Sequence, residues 1–256
     1  MELSHLLLEE REAIATLTLN SPERRNPLSR EVMVELRDAL RAIGASKARG
    51  VVIASTGPVF CAGHDYADLV NRDLAGMRAL LALCTEMMNA VQSIPQPVIA
   101  RVQGLATGAG CQLVAACDLA LAAEDAEFQT PGGAGGLFCT TPMVSVSRAI
   151  GRKRALEMLF TGDKVDARTA AEWGLVNRVV PAGELAAATD ALIRRATRGS
   201  AFSKGLGKQA YYAQIDLDQP KAYAYAVEVM AAGAVAEDGQ ESVRAFVEKR
   251  RPRFSS

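Results

Sequence analysis

The sequence predicts an α/β fold with mostly parallel strand pairing, followed by a helical C-terminal region. Three observations predict it. Short apolar runs alternate with longer stretches of helical periodicity, as when strands are joined by helical crossovers. Two of those runs, at 51–54 and 98–102, each lead soon into a break rich in Gly and Ala. From about Ala201 onward only helical patterns remain, the last near 241–250.

The elements follow in order. Residues 13–19 read as a strand, with Ile14, Thr16 and Thr18 on one face and Ala15, Leu17 and Leu19 on the other. Asn20-Ser21-Pro22 turns the chain. Ser29 is an N-cap candidate for a helix with the stripe Met33, Leu36, Leu40 and Ile43, stopped at Gly44. Residues 51–54 form a buried strand. The next helix carries Leu80, Leu81, Cys84, Met87, Met88 and Val91 as a core stripe, and Pro95 and Pro97 end it. Residues 98–102 are a strand, 112–116 lie in a short helix, and 119–122 form a further strand. The uneven spacing does not suit a simple Rossmann sheet. Neither G-x-G-x-x-G after a strand nor a phosphate-binding P-loop occurs.

Composition narrows the function classes. The 256 residues are 49% hydrophobic, enough for one large domain or one domain with a tail, and the 29 basic and 29 acidic side chains cancel. This balance favours neither nucleic acid nor an anionic membrane as partner. No apolar run approaches the roughly 20 residues that span a bilayer. Met1-Glu2-Leu3-Ser4-His5 matches neither a signal peptide nor an Arg/Ser-rich presequence, so the expected compartment is the cytoplasm. Five cysteines without a C-x-x-C pair, and only His5 and His64 as histidines, argue against disulfides and against a metal site.

The chemistry is concentrated in the two corners. The first is Phe60-Cys61-Ala62-Gly63-His64-Asp65 and the second is Gly104-Leu105-Ala106-Thr107-Gly108-Ala109-Gly110-Cys111-Gln112. Small residues let a backbone approach a ligand closely, and helix starts carry free N–H groups. Two such corners can aim a pair of N–H donors at one oxygen, which is an oxyanion hole. Two tight turns with no ligand are the plainer alternative.

These corners, with the pieces around them, resemble the crotonase (enoyl-CoA hydratase/isomerase) superfamily over nearly the whole chain. The matching pieces include Asn20-Ser21-Pro22, Arg25-Asn26-Pro27-Leu28-Ser29, Cys117-Asp118-Leu119-Ala120 and Phe128-Gln129-Thr130-Pro131. Leu159-Phe160-Thr161-Gly162, Gly174-Leu175-Val176, Val179-Val180-Pro181 and Phe246-Val247-Glu248-Lys249-Arg250 follow. Within the family, Gly136-Leu137-Phe138-Cys139-Thr140-Thr141-Pro142 resembles the group called enoyl-CoA hydratase domain-containing protein 3. The resemblance implies a crotonase-type spiral of β-β-α turns over 1–200 and a helical oligomerisation region over 201–256. It further implies a homotrimer or a hexamer, and an acyl-CoA thioester as substrate. No cofactor is expected apart from the coenzyme A that the substrate carries.

By motif position the resemblance places the thioester oxygen between the N–H groups of His64 and Ala109, with Ala62 and Gly108 in the same corners. Arg24, Arg25 and Asn26 match the segment near the adenine and phosphates. Where the family often has a lysine this chain has Ala67, and a Lys249-Arg250-Arg251 end from another subunit is one replacement. The two hydratase glutamates fall at Gln112 and Gly132. An amide holds water but takes no proton at neutral pH, and glycine offers nothing. Loss of both predicts weak or absent hydration, since each positioned acid or base is typically worth about 10²- to 10⁴-fold. The single-glutamate isomerases fit no better, because their base also falls at Gly132.

The candidate substitutes are His64 as a proton carrier or a residue facing CoA, Asp65 as an acid or a structural group, and Cys139 as a nucleophile or pocket wall. Phe138 and Thr140 belong to the same wall segment. Alternatives to a hydratase-type lyase are a non-catalytic acyl-CoA binder, thioester hydrolysis and decarboxylation.

Overall fold

A computed structural model describes residues 3–255; Met1 and Glu2, the start of the N-terminal segment considered above, and Ser256 lie outside it. Ten strands fall into two sheets. The larger is built from β1 (Leu6–Arg11), β2 (Ile14–Leu19), β3 (Gly50–Ser55), β5 (Val98–Val102), β7 (Leu119–Ala123) and β10 (Arg178–Val180), in the order β1-β2-β3-β5-β7-β10. The β1–β2 hairpin is antiparallel and the remaining pairs are parallel. The smaller sheet has the order β4-β6-β8-β9, from β4 (Val59–Cys61), β6 (Leu105–Thr107), β8 (Glu127–Gln129) and β9 (Val165–Asp166). Its first three strands run parallel.

Between them run α1 (Arg30–Gly44), α2 (Leu74–Ser93), α3 (Ala109–Ala116), α4 (Pro142–Ile150), α5 (Arg152–Thr161), α6 (Ala167–Trp173) and α7 (Leu185–Ala196). The chain closes with α8 (Ala201–Gln214), α9 (Gln219–Val235) and α10 (Glu237–Val247).

Local sequence explains the elements that matter for the site. Ser29 caps α1 by accepting from Val32 N–H at 3.3 Å, and Met33, Leu36, Leu40 and Ile43 are buried. α2 ends at Ser93, one turn before Pro97, with Ile94 extended ahead of Pro95. It is long and apolar enough to cross a membrane by composition alone. Its stripe of Leu80, Cys84, Met87, Met88 and Val91 instead packs into the core, and Leu81 is half-buried. The strands of the larger sheet are apolar on both faces because both are covered. Val51 and Ile53 of β3 face the main core, while Val52 and Ala54 face α7 through Leu185 and Ile193.

The C-terminal layer is fastened by one buried ion pair. Lys208 of α8 donates to Asp118 at 2.7 Å and to the carbonyls of Val91 and Gln96 at 2.7 and 2.9 Å. Asp118 also accepts from Val98 N–H at 2.7 Å and from Tyr212 Oη at 2.8 Å. By contrast α9 has no buried residue, and Tyr223, Val227, Met230 and Val235 stand exposed on it.

Removing one partner of a buried pair strands the other charge. Lys208→Met is therefore expected to lower unfolding stability by about 3 kcal/mol, and Asp118→Asn added to it to restore part of the loss. Urea melts of the single and double variants check this; equal stability of Lys208→Met and the parent chain would refute the clamp.

Candidate active site

The site lies where three parallel strands end side by side. β4 runs into residues 62–65, β6 into 108–112 and β8 into 130–133. Carboxyl ends of parallel strands are where α/β folds gather loops and free N–H groups.

The first corner is bracketed by backbone bonds to the segment before α1. Ala62 N–H donates to the Arg25 carbonyl at 3.0 Å, Leu28 N–H to the Gly63 carbonyl at 2.7 Å, and Asp65 N–H to the Leu28 carbonyl at 3.3 Å. In an extended segment alternate N–H groups point to opposite sides. The His64 N–H therefore points away from Leu28. There Gly108, at φ +55° and ψ −119°, starts α3, and Ala109 N–H heads it with no carbonyl one turn behind to receive it. Among the described residues neither N–H has a hydrogen-bond partner.

The two corners touch. At Gly63, φ is +84°, and a Cβ would stand 2.8 Å from the Thr107 carbonyl oxygen and 3.2 Å from Ala109 N. At Gly110 a Cβ would meet the Cys61 carbonyl oxygen at 2.4 Å. Side chains are thus excluded from the seam, which Ala109 N borders directly and which His64 follows by one residue.

The surrounding residues separate into groups. Gln112 stands one turn into α3, with its N–H bonded to the Gly108 carbonyl at 3.0 Å; its side chain is buried and Oε1 has no partner. Thr130 is fully buried with Oγ1 unpartnered, and Gly108 N–H bonds the preceding Gln129 carbonyl at 2.9 Å. Sequence reasoning noted the Phe128–Pro131 motif but did not single out Thr130; its place directly after β8 was the available signal. Gly132 sits in a short 3-10 turn, 131–133, beside Cys139. Phe138 is half-buried with its ring edge-on to Phe160 at 5.7 Å, and Thr140 is exposed.

The residues expected on the CoA side are engaged in the fold. Asn26 is buried; its amide donates to the Thr56 and Val59 carbonyls, both at 2.8 Å, and accepts from Ser21 N–H at 2.8 Å. Arg25 takes a left-handed conformation, φ 65°, at the end of a 3-10 turn. Arg24 forms an ion pair with Asp65, and Asp65 also accepts from Ala67 N–H at 3.1 Å. Asp65 thus holds a turn and a guanidinium, as its structural alternative requires. Arg250 of the C-terminal basic run is paired with Glu241 and Glu248.

Burial sets the protonation states. The His64 imidazole is held below its ordinary pKa of 6.5, chiefly by burial, with Asp68 and then the Leu28 backbone opposing; neither ring nitrogen meets a partner in full hydrogen-bond geometry. Cys139 is pushed up by burial, so it is a thiol and not a thiolate. Cys61, Cys84 and Cys111 are each pushed up to about 12 in the same way and are inert core residues. Gln112, Thr130, His64 and Cys139 are therefore neutral near pH 7, while Asp65 is the carboxylate partner of Arg24.

The His64 shift carries a sign. Its folded pKa lies below the unfolded value, so the unfolded chain takes up the proton first as pH falls. The stability contribution is complete above about pH 7 and is lost as pH drops through about 6.5 toward the folded pKa. His64→Gln is expected to flatten part of the decline in Tm between pH 7 and 5; parallel profiles for the two proteins would exclude a buried neutral imidazole.

The match to known proteins is extensive. A family model described as enoyl-CoA hydratase/isomerase matches residues 9–256. The mouse protein named enoyl-CoA hydratase domain-containing protein 3, mitochondrial, is 40% identical over 248 residues, covering 96% of this chain and 83% of its own length. The crystal structure of an enoyl-CoA hydratase from Mycobacterium smegmatis superposes with a TM-score of 0.95 at 42% identity, covering 99% of this chain and 100% of that one. The human domain-containing protein 3 structure gives 0.94 at 37% identity, covering 98% and 100%. Both the mouse and human proteins are named mitochondrial, which overturns the cytoplasmic expectation. That expectation rested on the lack of a presequence pattern in five residues, and such a lack does not fix a compartment. With the fold, the corner motifs and these relatives in agreement, the chain belongs to the enoyl-CoA hydratase/isomerase family, the crotonase superfamily.

Proposed function

We propose that this chain binds an acyl-CoA thioester with its carbonyl oxygen between the N–H groups of His64 and Ala109, and acts on it without a carboxylate acid–base pair. The observation that carries this reading is the seam itself: two unpartnered N–H groups, on abutting corners, at the carboxyl ends of neighbouring parallel strands. Negative charge developing on a thioester oxygen is stabilised there by fixed donors, one of them at a helix start where the dipole assists. The coenzyme A of the substrate is the only cofactor proposed.

At the positions where the family's hydratases carry glutamates stand an amide and a hydrogen atom. Gln112 can hold and orient a water; it cannot deprotonate one. Hydration of an enoyl thioester is accordingly slow or absent. A non-catalytic acyl-CoA binder is the second reading, favoured by the neutrality of Gln112, Thr130, His64 and Cys139 and by the engagement of Asp65 in an ion pair with Arg24.

Self-association is part of the proposal. No residue of α9 is fully buried within the chain, and Phe246 and Val247 of α10 are 86% and 74% exposed. Exposed apolar surface on this scale marks a contact. We assign region 201–256 to a homotrimer or hexamer contact, and a monomer in sedimentation at micromolar concentration would refute that.

Purified protein with crotonyl-CoA tests the function. Binding is expected, with hydration at least about 10²-fold below an ordinary hydratase. Release of free CoA or carbon dioxide over a panel of acyl-CoA esters separates an active enzyme from a binder. Gly63→Ala forces a methyl against Ala109 N and is expected to reduce turnover of whichever ester reacts, or its binding, by about 10²-fold, the typical loss for one oxyanion donor. Unchanged behaviour of Gly63→Ala would remove the oxygen from this seam.

A further inference from the structure

Beyond the missing glutamate side chain, the backbone around position 132 has its own geometry. The Gly132 carbonyl accepts from Gly135 N–H at 3.1 Å and from Leu137 N–H at 2.9 Å, so the chain loops back onto the glycine. A Cβ at 132 would stand 1.9 Å from the Leu137 carbonyl oxygen and 2.8 Å from Cys139 Sγ. The first distance is far inside van der Waals contact, and its partner is backbone, which does not swing aside as a side chain can. The neighbouring turn is hemmed in as well. A Cβ at Gly133 would meet the Leu159 carbonyl oxygen at 2.4 Å, and one at Gly162 would meet Pro131 Cα at 3.1 Å. Gln129 Nε2 donates to the Gly162 carbonyl at 2.7 Å and ties the turn to the end of α5.

We propose that Gly132 is a specificity-determining position: the 132–139 loop is closed over it, so the site is committed by its backbone to acyl-CoA chemistry without a second carboxylate. This rests on the reading that the thioester lies at the His64–Ala109 seam. Its consequence is an asymmetry between the two departures from the hydratase pattern. Gln112 lies on a helix, and Gln112→Glu is nearly isosteric, changing charge alone. At Gly132 any side chain must first push back the Leu137 carbonyl, which breaks the turn that also positions Phe138 and Cys139. Restoring both glutamates therefore does not restore a hydratase.

The test uses the full-length protein as Gln112→Glu, Gly132→Glu, the double variant, Gly132→Ala and Gly135→Ala. Gly135 belongs to the same loop, but a Cβ there has nothing nearer than 3.8 Å. Three quantities are read: Tm, affinity for crotonyl-CoA, and hydration followed by loss of enoyl absorbance. Gly132→Ala is expected to lower Tm by about 5 °C or more and to weaken thioester binding more than tenfold, with Gly135→Ala close to the parent protein. The double variant is expected to hydrate no faster than Gln112→Glu alone. The inference is overturned if Gly132→Ala behaves like Gly135→Ala, or if the double variant gains about 10²-fold or more in hydration over Gln112→Glu, the worth of one positioned acid or base. A parent protein that binds no acyl-CoA would refute the proposed function instead. The steric closure would then still be judged by the Tm of Gly132→Ala against Gly135→Ala.

Discussion

The structure depends on one close approach, the contact between the corner after β4 and the corner after β6. Gly63 and Gly110 make it, a third glycine, Gly104, brings the entries of β4 and β6 together, and each stands where a Cβ would strike backbone. Gly104 faces the Pro58 carbonyl oxygen at 1.9 Å, Gly110 the Cys61 carbonyl oxygen at 2.4 Å, and Gly63 the Thr107 carbonyl oxygen at 2.8 Å. They act along one seam, from the entry into β6 to the first turn of α3. Without side chains to hold them apart, two chain segments lie near enough for N–H groups from both to border one small space. Close packing of this kind leaves little slack, so the geometry is fixed before any ligand arrives.

Several polar side chains near the strand ends are buried and uncharged. The side-chain Oε1 of Gln112, the Thr130 hydroxyl and both His64 ring nitrogens are buried without partners. Each such group costs roughly 1–3 kcal/mol relative to a satisfied one. A fold tolerates that only where a large core offsets it, and here both faces of the six-stranded sheet are covered. Burial holds His64 neutral and keeps Cys139 protonated. The same desolvation that removes charge from the side chains strengthens the field of the fixed N–H dipoles, since there is little water to screen them. The site's electrostatics therefore come chiefly from backbone, with Asp65 and Arg24 as an ion pair on the first corner.

Much of this was legible in the sequence. β2, β5 and the Ser29-capped α1 were readable because alternation, β-branching and capping all agreed there. The corners were readable from composition, and their order along the chain carried the family. Other features left no such trace. β1 is Leu-Leu-Leu-Glu-Glu-Arg with only Leu6 buried, so it shows no period and owes its conformation to pairing with β2. β4, β6, β8 and β9 have two or three residues each, too few for periodicity, and exist because their neighbours do. Asn26 matches a family segment, and the engagement of its amide with Ser21, Thr56 and Val59 shows only in the packing. Resemblance locates a residue; only packing shows how its hydrogen bonds are used. The Leu137 carbonyl above Gly132 is a backbone atom, invisible to any reading of side chains.

α3 joins the site to the rest of the molecule. Its first N–H borders the seam, and its first turn carries Gln112. Two residues beyond its last, Asp118 accepts from Lys208 and Tyr212 of α8 and from Val98 of β5. Nearly every residue of this eight-residue helix is buried, so it has no solvent face along which to shift. A rigid short helix held at both ends transmits position from one to the other. The C-terminal layer is thus anchored to the helix that opens the site. The apolar surface left on α9 and α10 then lies in a layer that shares its attachment point with the candidate thioester-binding donors.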